Sequence, residues 1–94
     1  MVSASAQIKN KHGIHVRPSR VISEAIGSYD GQIMLTANDI CINTMNMINI
    51  LSLGLQEGDI VEISVEGAQE QEMIKQVIAL LEEQYDFPGA GSQI

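Results

Sequence analysis

Residues 60 to 66 restrict the fold of this 94-residue chain more than any other segment. Apolar side chains alternate there with polar ones, and only Ile60 breaks the pattern: Val61, Ile63 and Val65 stand against Glu62, Ser64 and Glu66. A period of two is typical of a strand with one face buried and the other face in water. The segment therefore predicts a sheet that is covered on one face and open on the other.

A segment with helical spacing begins at Val16 and predicts a first helix. Its apolar residues recur at helical spacing: Pro18, Val21, Ile22, Ala25, Ile26 and Tyr29. Pro18 falls in the first turn, where the missing N–H of proline is harmless, and Gly27 or Ser28 ends the helix. The helix follows a predicted first strand at residues 3–8 and a turn that contains Gly13.

The remaining segments are short and are separated by turn residues. We predict strands at residues 33–36, 40–42 and 60–66, a short helix at 47–53 with Asn46 as its N-cap, and a last helix at 69–85. The order βαββαβα, with the helices on one face of the sheet, indicates an open-faced α/β sandwich. The domain is expected to span residues 1–88, and residues 89–94 are expected to form a flexible tail.

The overall charge disfavours two classes of partner. A formal net charge of -7 opposes binding to nucleic acid or to an anionic membrane, because both require an excess of Lys and Arg.

No apolar run approaches the roughly 18 residues of a membrane span. The first residues also lack the basic start and the apolar core of a signal peptide. We therefore expect a cytoplasmic location without membrane insertion.

The single cysteine, Cys41, has no second cysteine with which to form a disulfide or a metal pair. Its neighbours Ile40 and Ile42 are apolar, and a cysteine in such a place usually packs as a small hydrophobic side chain. We predict that Cys41 is buried and inert, in a protein of a reducing compartment.

Positive charge is concentrated in one segment of this acidic chain. Four of the five basic side chains lie between positions 9 and 20, with both histidines and without an acid: Lys9, Lys11, Arg17 and Arg20. A basic segment on an acidic protein is typical of a site for a small anion. On charge alone, a solvated surface without function is the alternative.

His15 stands directly before the first predicted helix, where unpaired backbone N–H groups and the helix dipole favour an anion. The same field disfavours an imidazolium, so we expect a largely neutral imidazole at neutral pH that can act as a nucleophile. If His15 is phosphorylated, the amides of Val16, Arg17 and Ser19 can reach the phosphate, whereas Pro18 has no amide. The guanidinium of Arg17 adds a planar cation that suits phosphate oxygens.

Three other interpretations of His15 stay open from these residues alone. It can be a surface histidine with no chemistry, which is the more common case. It can bind a metal together with His12, although no acid or thiol nearby supplies further ligands. It can be a general base, although a domain of this size offers little room for a substrate pocket. No metal or cofactor is therefore predicted.

The middle helix has a wider apolar face than a small domain buries on one side. Its apolar residues span an arc of roughly 220°, and they are Met47, Ile48, Ile50, Leu51 and Leu53. Ile50 and Leu53 fall together and are expected to face the sheet. The other three, Met47, Ile48 and Leu51, then point outward as a surface for a partner, which we call the second-helix surface. The alternative is that the third helix or the tail covers it.

Two motifs make the chain similar to the HPr family, the histidine-containing phosphocarriers of the bacterial phosphoenolpyruvate-dependent phosphotransferase system. Residues 13–18 match the family's Gly-x-His-x-Arg-Pro phosphorylation motif, and residues 43–55 match its second-helix signature. The pair Gly58-Asp59, the alternating strand and the helix after Gly67 are also in register. The resemblance therefore covers nearly the whole chain.

The resemblance implies a four-stranded antiparallel sheet covered on one face by three helices. It implies that His15 accepts a phosphoryl group on Nδ1 from phospho-enzyme I and passes it to a histidine on a sugar-specific IIA domain. The protein would then be a phosphocarrier with a covalent phosphohistidine rather than an autonomous enzyme. The resemblance also implies that Arg17 stabilises the phosphoryl group and that the second-helix surface docks on both partners. We expect the chain to be a monomer.

Three features depart from the family pattern. Asn46 stands where many Gram-positive relatives carry a regulatory serine; it keeps the N-cap but cannot be phosphorylated, and Ser52 lies on a different turn. Met45 and Asn49 stand where many relatives place lysines that meet acidic partner surfaces. Arg20 fills a commonly small position beside the histidine, where it is a second phosphate ligand or a contact to the partner.

Asn46 and the missing lysines favour an alternative function. The chain can be a regulatory paralogue, from a nitrogen-type or incomplete phosphotransferase system, that acts mainly through contacts between proteins. It would bind a transcriptional or metabolic regulator through the second-helix surface and use the phosphohistidine as a signal. Both functions require His15 and the same docking surface.

Overall fold

The computed structural model describes residues 1–11, 13–14, 16–44 and 46–83. Within these residues, four strands and three helices follow the predicted order. They are β1 (Val2–Gln7), α1 (Val16–Ile26), β2 (Gly31–Ala37), β3 (Ile40–Asn43), α2 (Met47–Ser52), β4 (Ile60–Gly67) and α3 (Glu70–Glu82). The strands form one antiparallel sheet in the order β1-β4-β2-β3, which confirms the predicted open-faced sandwich.

β4 lies inside the sheet, and its alternation decides which face is covered. Val61, Ile63 and Val65 are fully buried, and Ile63 pairs with the equally buried Leu35 of β2. Glu62, between Val61 and Ile63 in the chain, is exposed on the open face. Each buried side chain of this size contributes about 1.5–3 kcal/mol relative to an exposed one, so a shift of register by one residue would be costly.

α1 buries only part of the predicted apolar stripe. Its buried residues are Pro18, Ser19, Ile22 and Ile26. Val21 and Ala25, which belong to the predicted apolar stripe, are exposed, so that part of the prediction is wrong. α1 packs against both α2 and α3, and these neighbours determine its rotation about its axis. The periodicity of the α1 sequence indicates a helix, but it does not predict how the helix is rotated about its axis.

α3 buries Ile74, Val77 and Leu81, as the predicted stripe requires. Its first turn carries two acids, Glu70 and Glu72, at the positive end of the helix dipole. The helix ends at Glu82, earlier than predicted, and the next residue is extended. Residues 84 and 85 of the predicted helix and the predicted tail at 89–94 lie outside the described residues, so the limits of 1–88 for the domain stay a prediction.

The prediction that Cys41 is buried is wrong, because Cys41 is exposed. β3 is an edge strand, and Cys41 pairs with Thr36, which is exposed on the open face. The next residue, Ile42, pairs with the buried Leu35 and is partly buried against the core. Because successive side chains of a strand point to opposite faces, apolar neighbours in the sequence do not bury the residue between them.

Glu70, at the start of α3, ties this helix to the beginning of β1. Its Oε2 lies 2.7 Å from the amino group of Met1, and its Oε1 accepts a hydrogen bond of 3.3 Å from the N–H of Gly67. The contact with the amino group, followed by the Gly67 amide, holds the pKa of Glu70 below its ordinary value. These contacts fasten the end of β1 that lies away from the basic segment.

Candidate functional site

His15 lies outside the residues that the structure describes, as does His12. Its two neighbours in the chain are described. Ile14 is buried in the core, and Val16 is the exposed first residue of α1. The described residues on the two sides of position 15 are therefore one buried in the core and one exposed at the surface.

A close approach between two backbones anchors the motif on its N-terminal side. The N–H of Ile14 donates a hydrogen bond of 3.0 Å to the carbonyl oxygen of Leu55, which follows α2. Gly13 has a φ of +75°, and a Cβ atom added there would overlap the Leu55 carbonyl and lie 2.9 Å from the Cα of Gln56. Only glycine tolerates both this φ and this contact.

Asn10 holds the same glycine from within the turn. Its Nδ2 donates a hydrogen bond of 2.6 Å to the carbonyl oxygen of Gly13, and its own carbonyl accepts a bond of 2.9 Å from the Gly13 N–H. Asn10 is 0% exposed. The prediction of site residues from the sequence missed Asn10, although Asn at the first and Gly at the fourth position is a known signal for a β-turn.

The segment that carries Leu55 is held in turn by polar side chains. Asn38, in the hairpin between β2 and β3, donates from Nδ2 to the carbonyl oxygen of Leu53 at 3.1 Å. The carboxylate of Asp59 accepts a hydrogen bond of 2.9 Å from the N–H of Gln56. These bonds fix both sides of Leu55, and through it they support Gly13 and Ile14, the first two residues of the motif.

The cations of the basic segment do not share one environment. The Nζ of Lys9 lies 3.8 Å from Oε1 of Glu82, and the Nε of Arg20 lies 3.3 Å from Oε2 of Glu24 on the exposed side of α1. Arg17 is exposed, and within the described part of the chain it forms no ion pair. No carboxylate in the described part of the chain therefore neutralises the Arg17 guanidinium, which the sequence predicts to bind a phosphate.

The first turn of α1 provides the predicted amides. Because the helix begins at Val16, the N–H groups of Val16 and Arg17 belong to the positions that have no carbonyl partner inside a helix. Pro18 has no N–H. Ser19 occupies the fourth helical position, where an N–H normally closes the first turn, and its side chain is buried with no hydrogen-bond partner for Oγ among the described residues. The geometry supports Val16 and Arg17 more directly than Ser19.

α2 begins as predicted. The Oδ1 of Asn46 accepts a hydrogen bond of 2.9 Å from the N–H of Asn49, and the extended backbone of Asn46 is typical of an N-cap. This confirms the predicted cap. Met45, whose replacement of a lysine is one of the departures, lies outside the described residues.

Only Ile48 of the second-helix surface is exposed, so the prediction that all three residues point outward holds in part. Ile48 is 70% exposed, Met47 and Leu51 are half-buried, and Ile50 and Leu53 are buried as predicted. In the described part of the chain α3 contacts α1, β1 and β4 but not α2, so the alternative that the third helix covers the surface is wrong. The sequence from position 40 to 56 contains no Asp, Glu, Lys, Arg or His, so the surface lies in an uncharged segment.

The structure also bears on two other classes of site. No helix among the described residues is long and apolar enough to cross a membrane. Across residues 1–11, 13–14, 16–44 and 46–83, no three His, Cys, Asp or Glu side chains come together as ligands for a metal.

Comparisons with known proteins agree with this arrangement. The family described as "PTS HPr component phosphorylation site" matches residues 2–83. The chain is 28% identical over 83 residues to the phosphocarrier protein HPr of Vibrio cholerae, an alignment that covers 88% of this chain and 98% of that protein. It is 33% identical over 86 residues to the phosphocarrier protein NPr of Klebsiella oxytoca, covering 90% and 96%. The crystal structure of HPr-C-His from Thermoanaerobacter tengcongensis is similar with a TM-score of 0.78, at 32% identity, over 86% of this chain and 91% of that one.

Proposed function

Because this chain belongs to the HPr family of phosphotransferase-system phosphocarriers, we propose that His15 carries a phosphoryl group between two partner proteins. It takes the group from phospho-enzyme I and gives it to a sugar-specific IIA domain. The observation that carries the proposal is the position of the motif, which spans the start of α1 and places the exposed Arg17 in the first turn of that helix.

The chemistry is a pair of nucleophilic displacements at phosphorus. In the first step a bond forms between Nδ1 of His15 and phosphorus while the bond from phosphorus to the donor breaks. In the second step the new bond breaks while the acceptor histidine of the IIA domain attacks. Little covalent work is left to this chain, so positioning and charge stabilisation account for most of the catalysis, and the partner enzymes complete the site.

The residues around His15 have separate roles in this proposal. The guanidinium of Arg17 binds phosphate oxygens, and the amides of Val16 and Arg17 stabilise the negative charge at the start of α1, while the Ser19 amide closes the first helical turn behind them. Pro18 sets the direction of the first turn and has no N–H to donate. No cofactor takes part.

Partner binding is assigned to the second-helix surface. Met47, Ile48 and Leu51 supply apolar contact area, and Arg20 lies on the neighbouring helix α1, which packs against α2. The Arg20 guanidinium already has a carboxylate neighbour, Glu24, so its contact with a partner involves the pair rather than an isolated cation. We infer a monomeric, cytoplasmic protein for this function.

The function is tested by incubating the purified chain with phosphoenolpyruvate and enzyme I. We expect the chain to gain one phosphoryl group, stable to base and labile to acid, because the phosphorus–nitrogen bond of phosphohistidine hydrolyses in acid. Mass spectrometry before and after acid treatment measures this gain. An unlabelled chain, in the presence of an enzyme I that labels a known carrier, would contradict the proposal.

Changing Ile48 to glutamate should weaken docking. A carboxylate at the centre of an apolar contact must be desolvated, so we expect KM for enzyme I to rise about tenfold while kcat changes little. Steady-state transfer rates at several concentrations of the chain separate the two constants. The matched control is Ile60→Glu, which alters an isoleucine that is 53% exposed but lies on β4. Equal effects of the two substitutions would remove the docking role of α2.

The alternative function is a regulatory phosphocarrier. It is supported by the similarity to a protein named NPr, and by Asn46, which leaves no hydroxyl for a regulatory kinase at the start of α2. A strain that lacks its own carrier distinguishes the two functions. Restored growth on a sugar imported by the phosphotransferase system supports the sugar-transport function, whereas phosphorylation in vitro without restored growth supports the regulatory one.

A further inference from the structure

We infer that Asn10 is a positioning residue that holds the chain in front of His15; this role rests on the proposed function of His15. Asn10 lies outside the Gly-x-His-x-Arg-Pro motif, yet its side chain and its backbone carbonyl both bind Gly13, the first residue of the motif. An amide side chain that is 0% exposed is costly to bury unless it is hydrogen-bonded, so its contacts are a structural requirement and not an accident of the surface.

The hydrogen bonds of Asn10, together with the one made by Leu55, restrain the consecutive residues Gly13 and Ile14. Asn10 binds the N–H and the carbonyl oxygen of Gly13, and Leu55 binds the N–H of Ile14. The peptide groups on both sides of Gly13 are therefore held before the chain reaches position 15. On the other side of position 15, the regular helix begins at once with Val16.

Such restraint matters for transfer between two proteins. A nucleophile reacts fast when it is held close to the geometry of attack, and a displacement of about 1 Å can cost about a hundredfold in rate. The helix amides and Arg17 also stabilise the phosphoryl group only if the imidazole presents it to them. Without the Asn10 amide, the Gly13 carbonyl loses a donor in a buried place, and the turn gains freedom to move away.

The test compares Asn10→Asp and Asn10→Ala with the wild type. Asp has nearly the shape of Asn but no N–H to donate, and Ala serves where the added charge prevents folding. We expect hydrogen exchange of the Gly13 and Ile14 amides to accelerate about tenfold or more while exchange in β4 and α3 stays normal. In transfer from enzyme I, we expect kcat to fall about tenfold with an unchanged KM, because the second-helix surface is intact.

Val77→Ala is the control for a general loss of stability, since Val77 is buried on α3 away from the motif. All variants are measured at a temperature well below their unfolding midpoints. Unchanged exchange at Gly13 and Ile14 in a folded Asn10 variant overturns the proposal, and so does an equal loss of kcat in Val77→Ala. A wild type that takes no phosphoryl group from enzyme I refutes the proposed function instead, and the exchange measurement still decides whether Asn10 anchors the turn.

Discussion

Replacement of His15 by alanine is expected to abolish phosphorylation of the chain by phosphoenolpyruvate and enzyme I. A methyl group cannot form the phosphorus–nitrogen bond, and the guanidinium of Arg17 is no substitute because it has no lone pair available for attack on phosphorus. The expected label falls to background while the chain remains folded. The measurement is acid-labile phosphate by mass spectrometry, with circular dichroism to check folding.

His12→Ala is the matched control for this experiment. It removes the other histidine of the chain, which lies outside the Gly-x-His-x-Arg-Pro motif at residues 13–18, and we expect its label to equal that of the wild type. Undiminished labelling of His15→Ala, or loss of labelling only in His12→Ala, would assign the phosphoryl group to another residue and defeat the proposed role of His15.

Replacement of Gly13 by alanine is expected to have the second largest effect, on stability and transfer together. A Cβ atom there overlaps the carbonyl oxygen of Leu55, and the backbone on both sides is held by hydrogen bonds and cannot yield easily. We expect the free energy of unfolding to fall by about 3 kcal/mol, from strain at positive φ and from overpacking. Urea unfolding measures this change, and phosphoryl transfer should fall in parallel because the motif is displaced.

Gly54→Ala separates these two causes. Gly54 also has a positive φ, of +62°, but no atom lies within 4 Å of an added Cβ. We expect its cost to be about 1 kcal/mol, the part that comes from the backbone conformation. If both substitutions lower the free energy of unfolding by the same amount, the close approach of Gly13 to Leu55 contributes nothing. The claim that the segment of Leu55 anchors the motif would then be wrong.

Periodicity in the sequence was sufficient for the order of the elements and for the covered face of the sheet. β4 illustrates the reason, because its side chains alternate between core and solvent, and the pleat of a strand converts that alternation directly into two faces. The N-cap at Asn46 is equally local, since the side chain and the amide that it binds are three residues apart. Interactions between residues this close in the chain can be predicted from the local sequence.

Two predictions failed because they depended on distant segments. Cys41 is exposed because β3 lies at the edge of the sheet and because this position faces the open side. Val21 is exposed and Ser19 is buried because α1 is rotated by its contacts with α2 and α3. The apolar residues next to a position in the sequence do not predict the order of the strands in a sheet or the rotation of a helix about its axis.

The sequence by itself determined the element order, the phosphorylation motif and its resemblance to a family, since each depends on residue types at short spacing. Only the tertiary structure decided that α3 does not cover the second-helix surface and that the Leu55 carbonyl accepts a hydrogen bond from the backbone of Ile14. It also showed that Asn10 is buried against Gly13. These features arise when segments far apart in the chain pack together, and the free energy of that packing belongs to the whole fold rather than to any one segment.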